Sequence, residues 1–470
     1  MPLPTTFAGT SARGEGLFAR LLTGITYRFA DINNTTLAPS AQSLGINNSC
    51  SIGTDSLGNV YVLASEGSSA FVLIKYNSSY VIQWQKFTNF GSKNLYVDSA
   101  GNCYVPGSNF LTKFDTSGTF QWSVSLTGGT YITPTIVSVT TDSSGNVYLT
   151  GLFYPYRTGN LRIGYTYYYG AYVTKLDSTG ALQWTSVLSN GASPNSIGAV
   201  ADYSGKQIVL DSSGNIYVSA VSTNTGTGTN SFLWGINSSG TTIIQKQFYD
   251  SSYSFSSGVG GGIAIDPTNS YLYISWQYSG SVIGTGIVRY NLSSATFDKY
   301  SITSSYTRLA SPYQSSVVCD SSGNVYLSNF AGNTLPITSF NSDLSSVLWQ
   351  KIGTNGTHSQ DFLISGYLTY NSLLGLLICG ASFNSAGGTP LIFGNVPLNG
   401  SKSGNYTISP SIGGTTYATF QSYSTYALVS LTGTLSSATI SLSSGLTISA
   451  SAGPVVWSTT TNYATSTVVI

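Results

Sequence analysis

The chain has 470 residues, 41% of them hydrophobic and 13% aromatic, which is ample for a core and excludes a disordered chain. Only 7% are charged, against about a quarter in ordinary soluble domains, so hydroxyls and amides must carry solubility. A formal net charge of +1 offers no field to gather phosphate backbones or anionic lipid, and sets aside nucleic-acid and membrane-surface binding.

The chain opens Met1-Pro-Leu-Pro-Thr-Thr6, without the basic segment and apolar run of an export signal. No stretch approaches the length of a membrane span, so no membrane insertion is expected. Gly14-Glu-Gly-Leu-Phe-Ala19 formally matches a dinucleotide fingerprint, but no apolar strand precedes it and no βαβ unit contains it. No cofactor is expected.

Beyond residue 46 an internal repeat appears. Asp55-Ser-Leu-Gly-Asn-Val-Tyr-Val62 recurs as Asp98-Ser-Ala-Gly-Asn-Cys-Tyr-Val105, Asp142-Ser-Ser-Gly-Asn-Val-Tyr-Leu149, Asp211-Ser-Ser-Gly-Asn-Ile-Tyr-Val218 and Asp320-Ser-Ser-Gly-Asn-Val-Tyr-Leu327. A sixth copy, Asp266-Pro-Thr-Asn-Ser-Tyr-Leu-Tyr-Ile274, carries one extra residue, and a seventh, Asn371-Ser-Leu-Leu-Gly-Leu-Leu-Ile-Cys-Gly380, keeps mainly the apolar run. Asp can bond its own backbone two residues on, and Gly-Asn tolerates positive φ, so each anchor predicts a tight turn between antiparallel strands. Period-two segments such as Ile136–Val139 and Val147–Leu149 flank it as strands A and B.

A second hairpin follows, as in Val72–Trp84, Phe110–Trp122 and Tyr172–Trp184, supplying strands C and D. Four strands per repeat, with anchors 43 to 69 residues apart, predict an all-β, seven-bladed β-propeller of four-stranded antiparallel blades. The expected organisation is an N-terminal arm over 1–46, the propeller over 47–441 and a C-terminal β-rich extension over 442–470. The last C–D hairpin is expected at Tyr426–Ser436, and Phe18–Tyr27, which is similar to it, is expected to close the ring by supplying an outer strand. Trp84, Trp122, Trp184 and Trp349 recur on strand D and are expected to pack between blades. Cys103, Cys319 and Cys379 stand at repeat-equivalent strand positions, the first two where other copies carry Val, Ile or Leu, which predicts buried free thiols.

The anchor together with the Lys175-Leu-Asp-Ser-Thr-Gly-Ala-Leu-Gln-Trp184 hairpin resembles the seven-bladed β-propeller repeat (SBBP) family over roughly residues 47 to 441. That resemblance implies fold more than activity, and an extracellular or surface setting. The leader Pro2–Phe18 resembles the openings of some tailed-phage virion structural proteins.

The A–B and C–D turns of a propeller share one face and the B–C and D–A connections the other. The anchors are uniform, whereas length varies at Tyr154–Gly170, Ser189–Gly205, Asp250–Gly262 and Phe383–Ser424, all read as B–C or D–A connections. Variable loops on a rigid scaffold carry binding, so that face is the expected contact surface. The candidate ligand-binding residues are Tyr154, Tyr156, Arg157, Tyr165, Tyr167, Tyr168 and Tyr169, whose rings suit sugar faces or a protein interface. The other reading open for them is an extended hairpin packed on a neighbouring blade. From Phe383 onward the only charged side chain is Lys402, and so neutral a β surface must be covered, either by another subunit or by the propeller's own rim.

No catalytic or metal constellation emerges. Glu15 and Glu66 are the only glutamates, six aspartates are anchors, and Asp31, Asp202, Asp250, Asp298 and Asp361 are scattered. His358 is the only histidine, and an anchor offers one carboxylate without a bidentate Glu for calcium. The expectation is a non-enzymatic structural or adhesion protein, a phage tail or fibre subunit assembled in the host cytoplasm. Its expected partners are other virion or surface-assembly proteins or a cell-surface glycan, with a homo-oligomer open. The alternatives are an extracellular or cell-surface carbohydrate-binding propeller and a polysaccharide-cleaving enzyme.

Overall fold

The computed structural model describes residues 28–34, 50–66, 70–88, 94–127, 133–160, 164–188, 202–224, 228–248, 254–279, 284–303, 315–328, 335–354, 367–381, 391–400, 404–406, 418–422, 449–452, 458–459 and 463–469. These form seven antiparallel sheets, one per anchor, and no helix lies among the described residues. Strand β1 is Arg28–Asn34. Blade one is β2 to β5 (Cys50–Thr54, Val60–Glu66, Ala70–Tyr76, Ile82–Thr88), and blade two is β6 to β9 (Tyr96–Val97, Cys103–Pro106, Phe110–Phe114, Phe120–Thr127). Blade three is β10 to β13 (Thr133–Thr141, Val147–Asn160, Gly164–Leu176, Leu182–Leu188), and blade four is β14 to β17 (Asp202–Leu210, Ile216–Asn224, Gly228–Ile236, Thr242–Phe248). Blade five is β18 to β21 (Ser254–Ile265, Tyr271–Ser279, Gly284–Asn291, Thr296–Thr303), and blade six is β22 to β25 (Ser316–Cys319, Val325–Ser328, Leu335–Phe340, Val347–Thr354). Blade seven contains β26 to β28 (Tyr367–Asn371, Gly375–Ala381, Leu391–Val396).

The anchor explains the hairpins. In blade one, Asp55 Oδ1 accepts the backbone N–H groups of Leu57 (3.0 Å) and Asn59 (2.9 Å), while Oδ2 accepts Asn59 Nδ2 (2.7 Å) and the Tyr61 hydroxyl (3.0 Å). The same four donors converge on Asp98, Asp142, Asp211 and Asp320. One carboxylate thus ties the turn to the tyrosine of strand B, and Gly58, Gly101, Gly145, Gly214 and Gly323 supply the positive φ. At Asp266 the extra residue is absorbed by Asn269 at φ 56°, and Oδ1 accepts from both Ser270 and Tyr271.

The core lies between blades. Tyr61, Leu63, Phe71 and Leu73 of blade one bury against Val97, Cys103, Val105 and Phe114 of blade two, and comparable clusters join blades two to three, three to four, four to five and five to six. The strand-D tryptophans join these seams as expected. Each packs on its own blade's tyrosine, as in Tyr61–Trp84 at 6.0 Å and Tyr326–Trp349 at 5.9 Å. Trp84, Trp122 and Trp349 also donate Nε1–H to the carbonyl of Thr116, Ser178 or Leu398 in the next blade's turn. Cys103 is buried and Cys319 partly buried, both free, and burial pushes both thiols upward.

Ring closure differs in detail from the expectation. The fourth strand of blade seven is β1, paired with β28 from Phe29 opposite Gly394 to Ile32 opposite Leu391. An N-terminal segment therefore supplies the outer strand, but it is Arg28–Asn34; Phe18–Tyr27 and the expected hairpin at Tyr426–Ser436 lie outside the described residues. Phe383–Ser424 is not one connection, because it contains β28 and two further strands, β29 (Gly404–Tyr406) and β30 (Ala418–Ser422). The seam is locked by Asn371 Nδ2, which donates to the Asp55 carbonyl at 2.8 Å.

The remaining strands cover outer edges. β30 pairs with β25 of blade six, β31 (Ser449–Ala452) with β9 of blade two, β32 (Ser458–Thr459) with β5 of blade one, and β33 (Tyr463–Val469) with β1 of blade seven. Of the two coverings left open by the composition, the described C-terminal strands take the propeller's own rim, on the four consecutive blades six, seven, one and two.

Candidate functional site

Blade three departs from its neighbours on the B–C side. Strands β11 and β12 run 14 and 13 residues, where the corresponding strands of blade one run seven each. The stretch from Tyr154, open to reading as a binding loop or as an extended hairpin, is thus a hairpin: a β-ribbon continuing the sheet. A bulge between Phe153 and Tyr156 introduces it, and pairing then continues to Asn160 opposite Gly164. Bulges twist a strand pair locally and so re-aim the ribbon relative to the blade.

The register brings most of the candidate residues together. Tyr156 stands opposite Tyr168, Arg157 opposite Tyr167, and Gly159 opposite Tyr165. Strand alternation therefore places Arg157, Tyr165 and Tyr167 on one face of the ribbon and Tyr156 and Tyr168 on the other. Tyr154 belongs to the base, where it pairs with Thr133 of β10, and Tyr169 falls at the bulge.

The second feature is the central channel, of about 510 Å³, lined by the innermost strands of all seven blades. Inter-blade hydrogen bonds stitch its wall. Leu95 N–H donates to Ser51 Oγ (3.1 Å), Tyr367 hydroxyl to Asn94 Oδ1 (2.6 Å), and Ile263 N–H to Gln207 Oε1 (2.9 Å). The rest of the lining is mostly Val, Ile, Leu, Ser and Thr, with Tyr96, Tyr370 and Cys319 among the exceptions. Among the described residues it contains one charged side chain, Lys206, and no carboxylate. Lys206 sits at a bulge of β14 between Gly205 and Gln207, and burial pushes its ammonium pKa down.

Sequence reasoning did not single out Lys206. The available signal was its place five residues before an anchor, where other copies carry Cys50, Val137, Gly261 and Ser315. Lys93, at the same position of blade two, lies outside the described residues. Of the scattered acids, Asp298 pairs with Arg289 at 2.9 Å on the outer strands of blade five, while Asp250, Asp361 and His358 lie outside the described residues. Among the described residues no group of three His, Cys, Asp or Glu side chains could hold a metal.

No family model matches the chain, and no curated protein matches it. The resemblance to the SBBP family therefore stays with the repeat residues themselves. Solved structures similar to the chain include propeller domains. The Dos1 propeller is 10% identical, with TM-score 0.44 over 77% of this chain and 94% of that one. The Vanderwaltozyma polyspora Nup133 β-propeller domain is 12% identical, with TM-score 0.42 over 78% and 98%. The Neurospora crassa Pan2 WD40 domain is 11% identical, with TM-score 0.43 over 78% and 96%. The fold rests on the seven sheets and not on these likenesses.

Proposed function

We propose that the chain is a non-enzymatic structural or adhesion platform whose contact element is the blade-three ribbon. The observation that carries this reading is the ribbon's register, which gathers Arg157, Tyr165 and Tyr167 on one face of a strand pair extended from a rigid blade. Tyrosine and arginine are enriched where binding energy concentrates at protein interfaces, tyrosine because it buries a large area at little conformational cost and arginine because its planar fork makes several hydrogen bonds and stacks on rings.

The partner fitting this platform best is a neighbouring protein in an assembled particle, a setting motivated by the leader residues Pro2–Phe18 and the low charge. Mass spectrometry of purified phage particles tests the setting, and absence of the chain from them removes it. The ribbon itself is tested by pull-down from dissociated particles. Tyr167→Ala and Arg157→Ala are expected to weaken capture of the neighbour at least about tenfold each, whereas Ser144→Ala on the anchor face leaves it unchanged. Equal capture by all three variants overturns the ribbon as the contact element. The carbohydrate-binding alternative draws on the same tyrosines, since ring faces stack on sugar rings. A glycan array with Tyr167→Ala and Tyr168→Ala as controls separates the two: retention of a glycan by the wild type alone favours the lectin reading.

A further inference from the structure

Among the described residues, the central channel holds a cation without a counter-ion. Lys206 is the one charged side chain among the described lining residues, and no hydrogen bond or ion pair reaches its Nζ among them. Lys206 is partly buried, and a partly buried cation is stabilised when an anion or several acceptors face it. Val137 occupies the equivalent bulge of blade three, so an apolar side chain can fill that place in the wall.

The neighbouring blade is shaped around the lysine. Gly261 lies beside it at φ +125°, and a Cβ there would stand 2.4 Å from Lys206 Cβ and 2.8 Å from Cγ. No other residue type combines that backbone with that vacancy. The Gly261 carbonyl, a potential acceptor for the ammonium, instead accepts the Ser219 hydroxyl. Gln207, next in the chain, spends its Oε1 on the Ile263 N–H, so its amide donor Nε2 stays available. Blades four and five thus present a seated ammonium and an uncommitted amide N–H to a cavity of about 510 Å³, a size suited to a sugar or an amino-acid derivative.

We propose that the central channel binds a small monocarboxylate, with Lys206 as the charge partner and Gln207 as a neutral donor. Among the described lining residues, one cation among neutral hydroxyls and amides matches a single negative charge, and no arginine fork or helix N-terminus stands there to favour phosphate. Two sources carry such a carboxylate, a uronic sugar or a peptide terminus. The site is separate from the ribbon, so it stands or falls independently of the function proposed above.

The test is calorimetric titration of the full chain with four probes: D-glucuronate, its neutral methyl ester, N-acetyl-L-alanine and its neutral amide. At least one carboxylate is expected to bind about tenfold or more tightly than its neutral counterpart, and which one does so identifies the source. Lys206→Met, which keeps the stem and removes the charge, is expected to abolish that preference, while Lys206→Arg keeps part of it. Failure of both carboxylates to bind at about 10 mM, equal binding of acid and neutral probe, or an undiminished preference in Lys206→Met overturns the proposal. The acid and neutral comparison on the unaltered chain decides the matter even where the Met variant folds poorly.

Discussion

The anchor aspartate does at residue scale what a loop of several residues would otherwise have to do. Asp142 accepts from Ser144 and Asn146 backbone N–H groups, from Asn146 Nδ2 and from Tyr148. Asp142→Asn puts an amide NH2 where Asn146 and Tyr148 both donate, so two donors lose their acceptor. The expected loss is about 1–3 kcal/mol in urea unfolding. Burial by itself would raise the Asp142 carboxyl, but the donations from Asn146, Tyr148 and Ser144 outweigh it and hold the carboxyl below its ordinary value. A folded pKa below the unfolded one adds stability that is present above the unfolded value and lost as pH falls through the folded one. Thermal stability is therefore expected to drop below about pH 4, and less steeply in Asp142→Asn; parallel profiles would show that this carboxylate contributes nothing. The tyrosines carry no such switch, because burial pushes Tyr61, Tyr148 and Tyr326 far upward.

At the scale of elements, the C–D turn of each blade is fitted to strand D of the blade before it. Gly118, Gly180, Gly240 and Gly400, all at positive φ, lie against Trp84, Trp122, Trp184 and Trp349 respectively. Where the preceding strand D has no tryptophan, a larger residue takes the left-handed position: Tyr80 after blade seven, Ala295 after blade four and Leu344 after blade five. Tyr80 and Leu344 are buried there, filling volume that the indole fills elsewhere. Ring and turn thus complement each other across a blade boundary. Gly180→Ala brings a Cβ within 2.9 Å of Val124 Cγ2 and 3.1 Å of Trp122 while straining φ. The expected cost is about 1–3 kcal/mol by chemical denaturation, smaller when Trp122→Leu is present, and additivity of the two changes would refute the coupling.

For the whole molecule, closure depends on segments far apart in the chain. Blade seven combines β26 to β28 with β1 and β33, so residues near both termini meet in one sheet. β1 is paired on both sides, whereas β31, β32 and β33 each add an outer strand. Removing residues 28–34 is expected to abolish cooperative melting or lower the melting temperature far more than removing 449–470, which should cost a few degrees and expose strand edges to aggregation. Scanning calorimetry and light scattering check both, and equal losses would mean that the closure does not run through β1. Among the described residues, the outer strands β13, β17 and β21 of blades three to five receive no added strand, so the belt is one-sided.

Blade number, turn type and the inter-blade role of the tryptophans were legible from the sequence alone. Each depends on contacts within a few residues or on a repeated register: a carboxylate reaching donors two, four and six positions on leaves the same Asp-x-x-Gly-Asn-x-Tyr signature each time. The aromatic cluster of blade three was legible as composition, with an extended hairpin as one of two readings, but the choice between hairpin and loop was not, because Tyr and Thr serve strand and loop alike. Tertiary structure alone decided which segment closes the ring, where the neutral C-terminal strands lie and that Lys206 stands in the channel. Outer edges of antiparallel blades are chemically interchangeable, so pairing partners hundreds of residues apart leave no local mark. A lysine five residues before an anchor becomes a channel cation only when seven strands assemble around it.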